Sequence, residues 1–493
     1  SASANQTYTA IFEEQSETPR PVYTITVNAN PAAGGSVSGG GRFEKGTSVT
    51  VVATASSSYR FAGWFENGAQ VSAALSYTFT ASVDRALTAS FVYTGSDAGN
   101  TPGDEPNDNT HAGNSSSSNT PTAKPPLPVS TNSTSGAVTT TASPDAAITG
   151  TTAVTTITSE VAAEIIKQAV ANGSEQVVIA SATGADVTKA QVTLPANVLY
   201  EIERQTSADL TVSTLIADVS FHNDGLSKLS DKESVTVTVE RTGTMFGLSI
   251  TSGGQTVEQV RGGIVLDIPI DHGTPGSVAV LVHEDGSRQV VRKSVVNKNT
   301  ITVPLSGPAV LEIVDRSKRF IDVASDSWAA DAVAFASGHE LFNGISPDTF
   351  GPDLPMTRGM LAMVLHNLEG NPEQATAETF SDVDASAWYA EAVAWSSARG
   401  IVSGYGNGLF GPGDNITREQ LAVMLWRYAG EPAATNKELH FNDADEVSGY
   451  ALDALIWTIE NNIINGKGSG ILDPRGQTTR AQVAQMLMNY LRK

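Results

Sequence analysis

The chain of 493 residues contains no cysteine, which excludes disulfide bridges and thiolate metal sites. Basic residues are scarce beside acidic ones: 30 Lys and Arg stand against 52 Asp and Glu, a formal net charge of −22. This charge disfavours nucleic acid and anionic membrane surfaces as partners, because binding to phosphate needs local positive charge. Apolar runs of the ~18–20 residues that a membrane-spanning helix needs are also missing, so no membrane insertion is expected.

Catalytic and metal-binding patterns are missing as well. The seven histidines form no metal-ligand spacing. The sequence has no Gly-x-Ser-x-Gly, phosphate-loop or His-Glu-x-x-His motif. The acidic clusters at 322–326 and 443–446 lack the Asp-x-Asp-x-Asp-Gly pattern of a calcium loop. The sequence therefore predicts no catalytic residue, no metal site and no cofactor in this chain.

The N-terminal part has the pattern of a small β module. Residues 22–93 alternate with period two between turn residues. Their order Gly-Gly-x-Val, Gly-x-x-Val-Thr-Val-x-Ala and Tyr-x-Phe-x-Gly-Trp is similar to that of the B-repeats of bacterial surface proteins. No signal segment precedes Ser1, and residues 1–14 resemble the tail of another such repeat, so the sequence is expected to begin inside an upstream copy. Trp64 is expected to fill the core of the sheet, and an extracellular ligand of the repeats stays an open possibility.

Two further segments differ in composition. Residues 94–150 are rich in Gly, Ser, Asn, Thr and Pro and contain no aromatic residue. Such a stretch buries too little apolar surface to offset its ordering entropy, which predicts a disordered linker. Residues 151–317 mix a capped helix, from Ser159 to about Ala171, with several strand patterns. They predict an α+β module, for which the sequence suggests no chemistry.

One motif occurs three times between residues 319 and 493. The copies share the order Phe-x-Asp, aromatic, Gly, Phe-x-Pro and Thr-Arg, with Leu472-Asp473-Pro474 in place of Phe-x-Pro in the third, and the arginines of Thr-Arg are 60 and 62 positions apart. A fixed period of this length indicates stacked units that bury their apolar faces against one another. The order resembles that of the S-layer homology (SLH) family, with copies at 318–370 (repeat 1), 378–430 (repeat 2) and 438–493 (repeat 3). The resemblance implies an all-α triplet in a pseudo-threefold arrangement. The expected fold class is thus multidomain: a small β module, a disordered linker, an α+β module and the all-α triplet.

The Thr-Arg pairs predict the start of the second helix in each repeat. Thr357, Thr417 and Thr479 are expected to cap these helices, and Gln420 and Gln482 complete capping boxes. An arginine at the first helical position adds a guanidinium to free N–H groups, which predicts an anion site. Arg418→Ala is expected to cost no more than about 0.5 kcal/mol, because this helical position normally faces solvent.

The SLH resemblance implies a ligand and a set of contacts. The ligand would be secondary cell-wall polysaccharide, commonly ending in pyruvylated N-acetylmannosamine, held in grooves between repeats. Positions carried over from the family for polysaccharide binding are Arg358, Arg418 and Arg480; Asp322, Asp382 and Asp443; Trp328 and Trp388; and Gly344, Gly404 and Gly466. Structural alternatives stay open: the aspartates as helix caps, the tryptophans as core and the arginines in ion pairs. In repeat 3 Gly449 takes the place of the tryptophan, which puts that groove in doubt.

Three functions fit this sequence. The first is a non-catalytic extracellular protein at the cell wall or S-layer surface, tethered by its SLH triplet, with the β repeats as a stalk or adhesive region. The second is the anchoring part of an extracellular enzyme whose catalytic domain lies upstream. The third is a subunit of an S-layer lattice.

Overall fold

The computed structural model describes residues 21–30, 35–55, 59–66, 69–72, 74–93, 127–134, 137–181, 186–229, 233–373 and 380–493. The expectations for residues 1–14 and 94–126 lie outside the described residues. The chain divides into two compact units, Ser1–Thr120 and Pro121–Lys493. Within the described ranges, none of the helices is both long and apolar enough to span a membrane.

The N-terminal unit is a β module. Its strands are β1 (Val22–Asn30), β2 (Gly35–Ser38), β3 (Gly41–Glu44), β4 (Ser48–Ala55), β5 (Tyr59–Glu66), β6 (Ala69–Ser72), β7 (Ser76–Thr80) and β8 (Arg85–Tyr93). One sheet has the order β3-β1-β8-β5-β6 and the other the order β2-β4-β7. Trp64 is fully buried, and its indole N–H donates to the carbonyl of Leu75 at 3.3 Å. The expectation that Trp64 fills the core is confirmed.

The second unit begins with two large sheets. Its strands are β9 (Val129–Thr134), β10 (Ala137–Ala142), β11 (Ala147–Thr149), β12 (Thr152–Thr156), β13 (Gln176–Ala180), β14 (Lys189–Leu194), β15 (Asp209–Ser213), β16 (Asp218–Phe221), β17 (Val235–Thr242), β18 (Met245–Ser252), β19 (Gln255–Thr256), β20 (Ile264–Pro269), β21 (Ser277–Val282), β22 (Arg288–Val290), β23 (Val295–Asn297), β24 (Thr300–Leu305) and β25 (Ala309–Asp315). The helices are α1 (Ser159–Asn172), α2 (Ala196–Gln205) and a 3-10 helix, Asn223–Leu229. The sheet orders are β23-β24-β20-β16-β15-β13-β10-β9 and β11-β12-β14-β17-β18-β25-β21-β22, with β19 on β18. Both sheets and both α-helices contribute to one apolar core.

The three repeats hold two α-helices each. They are α3 (Ala330–Gly338), α4 (Arg358–Leu368), α5 (Ala390–Ala398), α6 (Arg418–Tyr428), α7 (Leu452–Glu460) and α8 (Arg480–Leu491), with short 3-10 helices at Ala444–Glu446 and Gly449–Ala451. The second helix of each repeat packs against the first helix of the next repeat: α4 on α5, α6 on α7, and α8 back on α3. The repeats therefore form a closed ring around one shared core.

The expected fold class is wrong in two respects. The triplet is not all-α: isolated antiparallel bridges join Pro355 to Thr479, Thr357 to Asn415 and Thr417 to Gln477, and long irregular loops separate the helices. The bridges link residues about 60 or more positions apart, so local periodicity cannot reveal them. In addition, the described residues contain twenty-five strands against eight α-helices, so the chain is mainly β.

The expectation of disorder fails for the last part of the segment 94–150. Strands β9, β10 and β11 lie there and belong to the two large sheets. The composition misled because threonine is β-branched and fits a strand as well as a loop. Thr140 is fully buried, and its hydroxyl bonds to the hydroxyls of Thr131 and Ser174 at 2.8 and 2.9 Å.

The α+β module contacts repeat 1 through polar groups. The fully buried side chain of His339 has Nε2 2.8 Å from the carbonyl oxygen of Ser294 and Nδ1 2.7 Å from that of Phe335. Lys293 Nζ pairs with Glu369 at 2.8 Å. The module and the first repeat are thus joined by a buried histidine and an ion pair.

Candidate functional site

The second helix of each repeat begins at a capped threonine. The hydroxyls of Thr357, Thr417 and Thr479 accept from the backbone N–H three residues later, at 3.3 to 3.4 Å. Gln420 and Gln482 accept in turn from the N–H of their capping threonines, each at 3.2 Å. Repeat 1 has Met360 at this place, and its cap has no such reciprocal bond.

The N–H groups at these helix starts are already bonded within the protein. The amides of Arg358 and Gly359 donate to the carbonyls of Asp414 and Pro412 of repeat 2, each at 3.0 Å. The amides of Arg418, Glu419, Arg480 and Ala481 donate in the same way to the following repeat in the ring. The prediction that free amides there form an anion site is therefore wrong, because the neighbouring loop occupies them.

The side chain of each of the three arginines donates hydrogen bonds to backbone carbonyls of the following repeat in the ring. In Arg358, Nε donates to the carbonyl of Phe410 and Nη2 to that of Ser403, each at 2.9 Å. The corresponding bonds run from Arg418 to Leu472 (2.8 Å) and Asn465 (2.6 Å), and from Arg480 to Phe350 (2.9 Å) and Asn343 (2.5 Å).

The three arginine residues are 3–6% exposed, and burial lowers the pKa of each guanidinium. The expectation of a solvent-facing Arg418 is wrong. Nη1 of each arginine makes no hydrogen bond to a described residue.

The three aspartates hold the turn that receives these arginines. Asp382 accepts from the N–H of Phe410 at 2.8 Å and from that of Gly411 at 2.7 Å. Asp322 and Asp443 make the same pair of bonds in their own repeats, at 2.7 to 2.9 Å. Burial works against ionisation of Asp382, but the two donors outweigh it and hold the pKa of its carboxyl below the usual range. The carboxylates of all three aspartates thus accept hydrogen bonds from backbone N–H groups of their own repeats.

The three motif glycines are required by close packing inside each repeat. A Cβ atom at Gly404 would lie 2.6 Å from the Leu409 carbonyl oxygen and 2.6 Å from the ring of Phe380. Gly344 and Gly466 meet the motif phenylalanine of their repeats in the same way. Their smallness lets the Phe-x-Asp segment pack under the loop, whether or not a ligand approaches.

The aromatic residues before the first helices are at the surface. Trp328 is 61% exposed and Trp388 is 59% exposed, which contradicts the alternative of core packing. Tyr450, 57% exposed, is their counterpart in repeat 3, since all three directly precede the N-cap residue of α3, α5 or α7. The prediction that Gly449 replaces the aromatic residue is wrong because repeat 3 has one extra residue before its helix.

One groove combines residues of all three repeats. It has a volume of about 470 Å³, and we call it the central groove. Its polar and aromatic lining comprises Arg358 of repeat 1, Ser403, Tyr405, Gln420 and Arg427 of repeat 2, and Tyr450 of repeat 3. Arg427 donates to Ser403 Oγ at 3.0 Å, and the guanidinium carbon of Arg358 lies 4.8 Å from the centre of the Tyr405 ring.

The tyrosines of the central groove are held by acids. The Tyr405 hydroxyl donates to Asp414 at 2.8 Å, and the Tyr450 hydroxyl donates to Glu419 at 3.0 Å. The rings thereby keep a fixed position beside the guanidinium of Arg358. Fixed aromatic faces next to a cation suit a ligand that has both an apolar face and an anionic group.

Sequence reasoning missed Tyr405, Arg427 and Tyr450. A signal for Arg427 existed, because repeats 1 and 3 have an asparagine nine positions after the Thr-Arg arginine. Those asparagines, Asn367 and Asn489, donate to loop carbonyls of their own repeats at 2.8 and 3.3 Å. Repeat 2 thus differs from the other two repeats because Arg427 adds a second positive charge beside the groove.

The chain matches two known domain families. The S-layer homology domain matches residues 319–359, 379–422 and 440–484, and the divergent InlB B-repeat domain matches residues 24–95. S-layer homology domains generally bind secondary cell-wall polysaccharide, and their presence implies anchoring to the cell wall.

Similar proteins include both S-layer proteins and proteins named as enzymes. The exoglucanase XynX of Acetivibrio thermocellus is 30% identical over 37% of this chain and 17% of its own length. The amylopullulanase of Thermoanaerobacterium thermosulfurigenes is 25% identical over 58% of this chain and 16% of its own length. The S-layer protein sap of Bacillus anthracis is 29% identical over 27% of this chain and 15% of its own length. The chain spans about a sixth of the length of these relatives. It carries three S-layer homology domains and one divergent InlB B-repeat domain, and these belong to a protein of the bacterial cell surface or cell wall.

Proposed function

We propose that the chain is a non-catalytic anchor that binds an acidic secondary cell-wall polysaccharide in its central groove. The observation that carries this proposal is the pair of guanidinium groups, Arg358 and Arg427, beside two tyrosine rings in one groove. Arg427 also pairs with Glu431 at 3.8 Å, whereas Arg358 makes no ion pair within the described residues. On a chain with a net charge of −22, these two guanidinium groups are where an anionic glycan would meet attraction. The pyruvate ketal at the end of a wall polysaccharide fits this chemistry.

In this proposal, each residue of the groove makes a different contact or supports one. Arg358 offers Nη1 to a carboxylate, while its other two bonds fix the guanidinium in place. A sugar ring would lie on the faces of Tyr405 and Tyr450, as aromatic side chains present an apolar surface with a polar edge. Asp382 and Gly404 shape the loop that supports Tyr405. By position, Arg418 with Trp328 and Arg480 with Trp388 serve the other two grooves.

The β module would act as a stalk or adhesive region of this anchor. A second candidate is the wall-anchoring part of an extracellular enzyme, favoured by the similarity to proteins named exoglucanase and amylopullulanase. The reading frame upstream of this sequence separates the two: a hydrolase domain favours the enzyme, and further B-repeats favour the stalk.

Sedimentation with purified cell-wall sacculi tests the anchor. Arg427→Gln and Tyr450→Ala should each weaken binding about tenfold, since a charge-assisted bond or a stacked ring contributes roughly 1.4 kcal/mol. The control is Arg261→Gln, which removes one positive charge from an exposed site in the α+β module and should bind like the wild type. Removing pyruvate ketals from the sacculi should abolish the difference between variants and wild type. Equal retention of all four proteins on untreated sacculi would contradict the proposal.

A further inference from the structure

A second cavity lies where repeats 1 and 2 meet. Its volume is about 360 Å³, and we call it the Trp395 cavity. It is lined by Glu369 of repeat 1 and by Trp395, Arg399, Ile401, Arg427 and Tyr428 of repeat 2. Arg399 and the two aromatic residues, Trp395 and Tyr428, do not line the central groove.

The wall formed by Trp395 and Arg399 has unused binding capacity. The side chain of Trp395 is 1% exposed, and its indole N–H has no hydrogen-bond partner among the described residues. The guanidinium of Arg399 lies 5.3 Å from the centre of the Trp395 ring and makes no hydrogen bond or ion pair within the described chain. Buried donors without partners are rare in proteins, so an unsatisfied indole points to a ligand or water that supplies an oxygen.

The carboxylate in the cavity is already neutralised. Glu369 accepts from the hydroxyl of Tyr428 at 2.5 Å and pairs with Lys293 of the α+β module at 2.8 Å. The same carboxylate also attracts Arg399, so the two cations, Lys293 and Arg399, outnumber it and the local charge is positive. The cavity suits a ligand with carbonyl or carboxylate oxygens for Arg399.

The Trp395 cavity continues the central groove. Ile401 and Arg427 line both spaces. Along α6 the lining residues follow one face, from Gln420 through Met424 and Arg427 to Gly430 just past the helix end. Ten residues of helix span about 15 Å, so the two spaces form one path longer than a single sugar.

We propose that the Trp395 cavity is a subsite for an inner sugar of the same wall polysaccharide. The sugar would be an acidic or N-acylated residue that occupies the cavity and directs its oxygens to Arg399. This inference rests on the proposed function, which places the acidic end of the glycan in the central groove. It adds that the anchor recognises glycan length as well as the terminal residue.

Titration calorimetry with wall oligosaccharides of one, two and three repeating units tests the subsite. The full chain should bind the three-unit fragment at least about tenfold more tightly than the one-unit fragment. Arg399→Gln should lose this gain and still bind the one-unit fragment within about twofold of the wild type, which also shows that the variant is folded. Arg261→Gln, with the same change of charge, should keep the gain. Trp395→Phe should remove any change in tryptophan fluorescence that only the longer fragments cause.

The outcomes separate this proposal from the one on which it rests. If the wild type binds none of the fragments, the anchor itself is refuted. If one-unit and three-unit fragments bind the wild type equally, or if Arg399→Gln keeps the full gain with length, the inner-sugar subsite is refuted and the anchor stands.

Discussion

In each repeat, a motif aspartate and the motif arginine of the preceding repeat bind the backbone of the same turn. In repeat 2 the carboxylate of Asp382 binds the amides of Phe410 and Gly411, and Arg358 binds the carbonyl of Phe410. One peptide group thus links an acid of its own repeat to a base of the preceding repeat. The charge of Arg358 also lowers the pKa of Asp382, so the carboxylate stays ionised while both groups hold the turn.

Protonation of His339 should affect the stability of the folded chain. Burial lowers the pKa of its imidazole from the ordinary 6.5 to about 4, against the raising effect of the carbonyls of Phe335 and Ser294, and the charge of Arg492 acts in the same direction as burial. The histidine is therefore neutral in the folded protein where the unfolded chain already binds a proton. Stability should be complete above about pH 6.5 and should fall as the pH drops towards 4.

The predicted loss in this window is at most about 3 kcal/mol, as each pKa unit corresponds to 1.36 kcal/mol. Urea unfolding at pH 7.5, 6.0, 5.0 and 4.5 measures it. His339→Asn serves as the control, because the asparagine cannot titrate and should flatten the profile between pH 6.5 and 4. The same slope in both proteins would contradict the assignment to His339.

At the scale of elements, the helix starts were predictable and the added strands were not. The capping threonines and glutamines lie within three residues of one another, so the sequence displays the whole interaction. Strand β10 depends instead on a partner further along the chain, since its Thr140 lies opposite Val177 of β13, and β9 and β11 pair with their chain neighbours β10 and β12. Their hydroxyl-rich composition matches that of a solvated linker, and only the distant strand distinguishes the two.

Removing a cap measures its contribution to the ring. Thr417→Ala should lower the free energy of unfolding by about 1 kcal/mol, because the amide of Gln420 loses its acceptor. Thr417→Ser retains the hydroxyl and should stay within about 0.5 kcal/mol of the wild type. Urea unfolding followed by helical circular dichroism gives both values. An alanine variant as stable as the serine variant would contradict a stabilising role of the cap.

At the scale of the whole molecule, the ring explains why the residues of the candidate site were only partly predictable. The sequence displays which residues recur, and an arginine that binds a backbone carbonyl recurs as faithfully as one that binds a sugar. The difference lies in the neighbouring repeat, which supplies Phe410 and Ser403 to Arg358. Tyr450 and Arg427 were not predicted for the opposite reason, because each departs from the repeat pattern. One extra residue in repeat 3 shifts Tyr450, and Arg427 stands where the other two repeats have asparagine.

Arg480 closes the ring, and its loss should affect both ends of the triplet. Arg480→Ala leaves the carbonyls of Phe350 and Asn343 without their donor, and should lower the free energy of unfolding by about 3 kcal/mol. Hydrogen exchange should accelerate in α3 as well as in α8, since these helices pack together. Arg475→Ala, at an exposed position of repeat 3, is the control and should change neither measure. Faster exchange in α8 alone would argue against a closed ring.

The central groove draws on three repeats at once, and this has a consequence for how many ligands such a chain can hold. Repeat 1 supplies Arg358, repeat 2 the loop and Arg427, and repeat 3 supplies Tyr450. The number of complete grooves therefore does not increase by one with each repeat, because a chain with one or two copies would have no complete groove of this kind. Loss of a single copy from the gene would therefore remove the whole proposed polysaccharide site, so the three copies are expected to be inherited together.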